Sequence, residues 1–284
     1  MNEELAWYAI SKVNEISYKQ IEDLLKLCQK PQKIFKLSKE KLINFKSNEQ
    51  QCKQILETKF NELILEQEKL KQDGIKFITK DDKLYPENLK NIFDPPYWIY
   101  IKGNAQTLNK RSVAIIGSRN CSKYGENVSK RIAYYLAKQD ICVVSGLARG
   151  IDTKAHEGCV IGNGTTIAVL GSGLNNIYPQ ENIPLYSKII EKGGAIISEY
   201  PMDEKPSPEN FPKRNRIISG LSEKIIVVEA GKRSGTFITV DFALEQGKEI
   251  YAVPGNITSI NSAGTNNLIK EGAIPLTDLG DLEF

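Results

Sequence analysis

Arginines and lysines set in glycine-rich turns are the residues of this sequence best placed to do chemistry, and the chemistry they suit is holding an anion. Four turns carry the pattern: Gly117-Ser118-Arg119-Asn120, Ser145-Gly146-Leu147-Ala148-Arg149-Gly150-Ile151-Asp152, Gly171-Ser172-Gly173-Leu174-Asn175-Asn176 and Gly231-Lys232-Arg233-Ser234-Gly235-Thr236. Glycine lets backbone N–H groups approach an anion closely, and a helix starting there adds its dipole. Arg119 and Arg149 would add bidentate contacts to a phosphate. Backbone needs alone explain one such turn; four in one chain point to an anion site. A fifth segment, Phe211-Pro212-Lys213-Arg214-Asn215-Arg216-Ile217-Ile218-Ser219-Gly220, puts three cations beside a lone aromatic. Cations for phosphates and a ring for a base suit a nucleic acid, while a basic turn with Phe211 as a hydrophobic staple remains the plainer alternative.

Covalent chemistry finds less support. His156 is the only histidine, so no site can use two imidazoles. The five cysteines, Cys28, Cys52, Cys121, Cys142 and Cys159, form no C-x-x-C pair, so neither a zinc site nor a disulfide framework is expected. There is no G-x-x-x-x-G-K-[ST] motif, and the first turn departs from G-x-G-x-x-G, so neither ATP hydrolysis nor the usual dinucleotide binding is indicated. Asp152 reads as a first-turn acid of a helix, and His156, one turn later, as its local hydrogen-bond partner. Glu199 and Glu229 sit at strand ends, where neutralising nearby arginines is a simpler role than acid or base catalysis. No catalytic residues, metal or cofactor are expected.

The elements that must position these turns follow from periodicity. Short apolar runs at Val113–Ile116, Ile141–Val144, Thr166–Leu170, Ala195–Ile197, Ile225–Val228 and Glu249–Val253 have the length of strands buried on both faces. Helical stretches such as Gly125–Lys138 and Thr236–Gln246 lie between them. Such alternation gives a doubly wound, mostly parallel α/β sheet, with the glycine-rich turns at its carboxyl edge. Residues 1–72 contain no glycine and repeat apolar positions at helical spacing, which predicts a small all-helical domain ending in a longer helix across about 49–72. Residues 73–284 then form the second domain, entered through short strands at 75–79 and 97–101. A composition of 40% hydrophobic and 26% charged residues, mean hydropathy −0.34 and net charge +3 excludes a disordered chain. No apolar run reaches the roughly 18–20 residues of a membrane span, and the acidic start lacks signal-peptide character, so a cytoplasmic location is expected.

Taken in order, these segments resemble the DprA/Smf (DNA processing protein A) family. The resemblance runs through Gly117-Ser118-Arg119, Ser145 to Asp152 with Ala155-His156, and Thr165 to Gly173 with Tyr178-Pro179. It continues through Ser198-Glu199-Tyr200-Pro201, Phe211 to Gly220, Val228-Glu229-Ala230, Ser234-Gly235-Thr236, Val253-Pro254-Gly255-Asn256 and Gly264-Thr265-Asn266, covering roughly 75–275. It implies an extended Rossmann-like fold behind a helical domain of the sterile-alpha-motif or helix-hairpin-helix kind. It further implies a non-enzymatic, cytoplasmic homodimer that binds single-stranded DNA and loads the recombinase RecA onto it in natural transformation. Carried over by position, Arg119 is the leading strand contact, shaped by Gly117 and Ser118, with Phe211, Arg214 and Asn215 in the same groove. Lys123, Arg149, Lys213, Arg216, Gly235 and Thr236 complete the expected edge.

Two departures matter. The stretch Ile10-Ser11-Lys12-Val13-Asn14-Glu15-Ile16-Ser17 lacks the glycine of a DNA-binding hairpin, so packing or protein contacts are the expected role there. A C-terminal winged-helix-like domain, carried by some members, is not expected in a sequence ending at Phe284. The main rival is a nucleotide-binding phosphoribohydrolase-like enzyme on the same fold, but Thr239 stands where that motif, P-G-G-x-G-T-x-x-E, needs glutamate.

Overall fold

Polar caps punctuate the first seventy-two residues and set the lengths of their helices. In the computed structural model, which describes all of residues 1–284, these are α1 (Glu3–Ser11), α2 (Tyr18–Cys28), α3 (Lys39–Asn44), α4 (Glu49–Leu56) and α5 (Phe60–Gln72). Asn2 and Ser38 each accept one backbone N–H at a helix start, while Ser17 with Gln20 and Asn48 with Gln51 form reciprocal capping boxes. The single long helix expected across 49–72 is two helices. Thr58 ends the first by donating its hydroxyl to the carbonyls of Gln54 (2.7 Å) and Ile55 (3.0 Å), which turns the backbone out of register.

The chain then alternates β1 (Ile75–Thr79), α6 (Glu87–Lys90), β2 (Trp98–Gly103), β3 (Ser112–Ile116), α7 (Lys123–Lys138), β4 (Cys142–Ser145), α8 (Ile151–Ile161) and β5 (Thr166–Val169). It continues with α9 (Ile183–Glu191), β6 (Ala195–Ser198), α10 (Asn210–Leu221), β7 (Lys224–Val227), α11 (Thr236–Glu245), β8 (Glu249–Ala252), α12 (Ala263–Lys270) and β9 (Ile274–Pro275). All nine strands join one doubly wound, Rossmann-like sheet in the order β1-β2-β6-β5-β4-β3-β7-β8-β9. β6 through β9 are parallel, and β2 and β1 extend that sheet antiparallel. Every residue of β3, β4, β5 and β6 is buried, as a strand covered by helices on both faces requires. The two-residue β9 had no sequence signal. No helix is long and apolar enough to cross a membrane.

The helical segment shares its core with the sheet. Trp7, Tyr8, Ile10 and Leu24 belong to one buried cluster with Trp98, Tyr100, Leu170 and Ile196. The Ser11 and Tyr100 hydroxyls are 2.6 Å apart within it. Tyr97 is sandwiched between Trp7 (5.0 Å) and Tyr18 (5.1 Å), stacked on both faces. From β3 the chain winds outward through β4, β5 and β6, then returns along α10 to place β7 on the other side of β3. That reversal makes the carboxyl end of β3 the switch point, where loops diverge and leave a crevice.

Candidate nucleic-acid interface

The turn after β3 is tied down at both ends by one residue. Glu229, just past β7, accepts the Ser118 N–H on its carbonyl (2.7 Å) and the Ser122 N–H (2.8 Å) and hydroxyl (2.5 Å) on its carboxylate. Ser122 in turn caps α7 by accepting the Gly125 N–H. A Cβ on Gly117 would lie 2.7 Å from Ile151 and 2.8 Å from the Glu229 carbonyl, so the close approach of strand, turn and helix requires glycine there. Between these anchors Arg119 is exposed, with its guanidinium 5.4 Å over the Phe211 ring and no carboxylate partner.

The turn after β4 is occupied from within. The buried carboxylate of Asp152 accepts the N–H groups of Gly146 (3.1 Å) and Ala148 (3.4 Å), filling the concavity an external anion would use. Burial pushes Asp152 up to about 6, with Arg214 and the loop amides pulling the other way. Arg214 is itself buried, which lowers it to about 10. It donates to the carbonyls of Gly146 (2.9 Å) and Val169 and to the Asn215 side chain (3.1 Å), while its guanidinium lies 6.0 Å from the Phe211 ring. The turn after β5 contributes packing: a Cβ on Gly171 would meet Phe211 at 2.8 Å, so that glycine seats the ring, with Tyr178 tilted against it at 5.7 Å.

These groups surround a cavity of about 530 Å³. Of the residues expected from sequence, Gly117, Ser118, Arg119, Phe211, Arg214, Asn215, Gly235 and Thr236 line it. Lys123, Arg149, Lys213 and Arg216 do not. Lys123 pairs with Glu126 one turn along α7, and Arg149 forms a two-pronged pair with Glu181 (2.8 and 3.0 Å). Lys213 is exposed on α10 outside the cavity. Arg216 corrects the expectation of a basic edge: two residues beyond Arg214, it falls on another face of α10, where Glu199 (2.6 and 2.9 Å) and Asp94 (2.9 Å) enclose its guanidinium.

Further residues differ from expectation or escaped it. His156 does not bond Asp152; its Nδ1 lies 2.7 Å from the Thr166 hydroxyl, and burial pushes it down to about 3. Glu199 does neutralise an arginine, whereas Glu229 meets none and holds the turn instead. Asn120, Asp152, Tyr178, Ser234 and Thr239 line the cavity unassigned by sequence reasoning. Asn120, Asp152 and Ser234 lie in the glycine-rich turns themselves, Tyr178 in a Tyr-Pro pair near one of them, and Thr239 at the position compared with the phosphoribohydrolase glutamate. The cavity thus presents one free guanidinium, one aromatic face backed by a second guanidinium, and amide and hydroxyl groups from two helix starts. It can clamp a phosphate and stack a planar ring, and holds no nucleophile–base pair.

Known proteins are similar in sequence and fold. The family model for DNA recombination-mediator protein A matches residues 76–283. Protein Smf of Escherichia coli (strain K12) is 44% identical over 219 residues, 76% of this chain and 59% of that protein, so the chain spans little more than half the length of that relative. DNA processing protein DprA of Bacillus subtilis (strain 168) is 40% identical over 213 residues, 75% of this chain and 71% of that one. The X-ray structure of DprA from Streptococcus pneumoniae superposes with a TM-score of 0.84 at 33% identity, covering 99% of this chain and 98% of that one. A structure describing the single-stranded DNA binding mode of DNA processing protein A from Helicobacter pylori matches with a TM-score of 0.66 at 29% identity, over 72% and 93% of the two chains. With the sheet, its switch-point turns and most of its length matched in this way, the chain belongs to the DNA recombination-mediator protein A (DprA/Smf) family.

Proposed function

We propose that this chain binds single-stranded DNA in the switch-point cavity and presents it to a RecA-type recombinase in the cytoplasm, as a homodimer and without covalent catalysis. The observation that carries the reading is Arg119: an exposed guanidinium with no carboxylate partner, on a turn anchored at both ends, directly over the Phe211 ring. A phosphate on Arg119 would bring the adjoining base within reach of Phe211, an arrangement open to a splayed strand and closed to a stacked duplex. The Helicobacter pylori relative, described as binding single-stranded DNA, supports the choice of ligand. Two protomers sharing one strand would gain by effective concentration, giving cooperative, length-dependent binding. The phosphoribohydrolase alternative lacks its acid, since Thr239 forms that part of the cavity wall.

Fluorescence anisotropy of labelled poly-dT and of a matched duplex, over a salt series, tests the proposal with wild type and Arg119→Ala. Tight, salt-sensitive binding to the strand, weak binding to the duplex and a large loss on substitution are expected. Equal, weak binding to both, indifferent to the substitution, would assign the cavity to another ligand, with nucleoside monophosphates the next to test.

A further inference from the structure

The lysines of the helical segment are concentrated on one short stretch. Residues 26–46 hold Lys26, Lys30, Lys33, Lys36, Lys39, Lys41 and Lys46 against the single acid Glu40, a surplus of six where the whole chain carries +3. All seven lysines are exposed. Lys26 pairs with Glu22 and Asp23 at 3.5 Å and Lys39 with Glu49 at 3.6 Å, all across solvent, and the other five enter no ion pair.

Local structure turns three of them outward together. Pro31–Lys36 is a 3-10 helix whose N-cap is Lys30. Three residues per turn place Lys33 and Lys36 one above the other, about 6 Å apart at roughly 2 Å of rise per residue, and Lys30 precedes them in extended backbone. The same period puts Pro31 and Ile34 on a different row, about 120° round the helix, where both are buried, Ile34 in the helical core. The lysines therefore cannot turn inward to find partners. Lys41, exposed on α3, adds a further unpaired ammonium group to the same stretch.

A run of exposed, unneutralised ammonium groups suits a polyanion better than any point ligand, because each can meet a further phosphate and release a further counterion. The aromatics of this stretch, Phe35 and Phe45, pack against the helical core, so the lysines suit the phosphate backbone better than a base. We infer that the group Lys30, Lys33 and Lys36 with Lys41 is a second, sequence-independent DNA contact that holds the phosphate backbone of single or double strands. The choice of DNA as the polyanion rests on the strand binding proposed above.

The experiment uses the full chain, Arg119→Ala, and a quadruple variant carrying Lys30→Gln, Lys33→Gln, Lys36→Gln and Lys41→Gln. The probes are a (dT) oligomer of about 8 nucleotides, short enough to occupy the cavity alone, and a duplex of about 40 base pairs. The lysine variant is expected to keep its affinity for the short strand while losing at least roughly tenfold on the duplex at low salt, with a salt slope shallower by up to about 3.6. Arg119→Ala is expected to do the reverse. Duplex binding that is undetectable in wild type at low salt, or unchanged in the lysine variant, overturns the inference. So does lysine-dependent binding to phosphatidylserine vesicles in place of DNA. If Arg119→Ala leaves short-strand binding intact, the cavity assignment falls while the lysine group is judged on the duplex alone.

Discussion

The Glu229 carboxylate accepts both the backbone N–H and the hydroxyl of Ser122, at 2.8 and 2.5 Å, and so fixes the start of α7 to the end of β7. Because the Glu229 carbonyl also accepts the Ser118 N–H, the span bearing Arg119 hangs between two points on one residue. Glu229 does not itself line the cavity. Glu229→Ala should leave the Ser122 groups without partners and cost on the order of 3 kcal/mol, read as a lowered urea midpoint. Single-strand affinity should fall about tenfold with an unchanged salt slope, since no phosphate contact is removed. Glu229→Gln, which keeps one acceptor, should recover most of both. An alanine variant that binds like wild type would dismiss the anchoring role.

Phe211 decides whether the cavity stacks a base. Its ring rests on Gly171, with Arg119 and Arg214 within 5.4 and 6.0 Å. Phe211→Ala should cost about 1–3 kcal/mol of single-strand binding, and Phe211→Trp should keep most of it. Phe211→Leu separates stacking from packing: it fills the seat and loses the π-face. Anisotropy titrations in which leucine matches phenylalanine would reduce the ring to a staple.

Legibility from sequence ended where side chains chose between partners. The strand-helix alternation and the carboxyl-edge turns were readable because fully buried strands and glycine-rich turns impose composition directly. Gly117 and Gly171 could be found as glycines, yet one makes room for Ile151 and the other seats Phe211, and neither role has a local signature. Arg214 and Arg216 are adjacent in kind and two apart in sequence. One braces the cavity floor and the other joins Glu199 and Asp94, because helical geometry aims them differently and Asp94 lies 122 residues away. Turning the β4 turn inward onto Asp152 was equally invisible, since first-turn acids are ordinary at helix starts.

Asp152 should give the site a pH dependence. Its folded value of about 6 lies above the roughly 4 of an unfolded chain, so the folded state keeps the proton to higher pH. Ionising it therefore costs stability that is undiminished below about pH 4 and lost progressively as pH rises through 6. Protonation also removes the negative charge opposing Arg214, so single-strand affinity should rise several-fold between pH 7.5 and 5.5. His156, pushed down to about 3, stays neutral throughout that window. Asp152→Asn keeps an acceptor for Gly146 and Ala148 and should bind with no such slope. A slope that survives in the asparagine variant would assign the titration elsewhere.

The junction between the helical segment and the sheet is the last place where sequence and packing diverge. Both tryptophans of the chain, Trp7 and Trp98, lie there with ring centroids 6.3 Å apart, so intrinsic fluorescence reports on this contact. Trp7 also stacks on Tyr97, and the two helix-to-sheet hydroxyls of Ser11 and Tyr100 satisfy one another out of water. Residues 73–284 alone would expose Trp98, Phe77 and Tyr100 in one apolar patch and should aggregate. Trp7→Ala should lower the stability of the full chain by about 3–5 kcal/mol through the cavity it leaves. Fluorescence and far-UV circular dichroism should then trace a single coincident urea transition in wild type. Two separated transitions, with fluorescence changing only in the first, would show that the shared core does not couple the helical segment to the sheet.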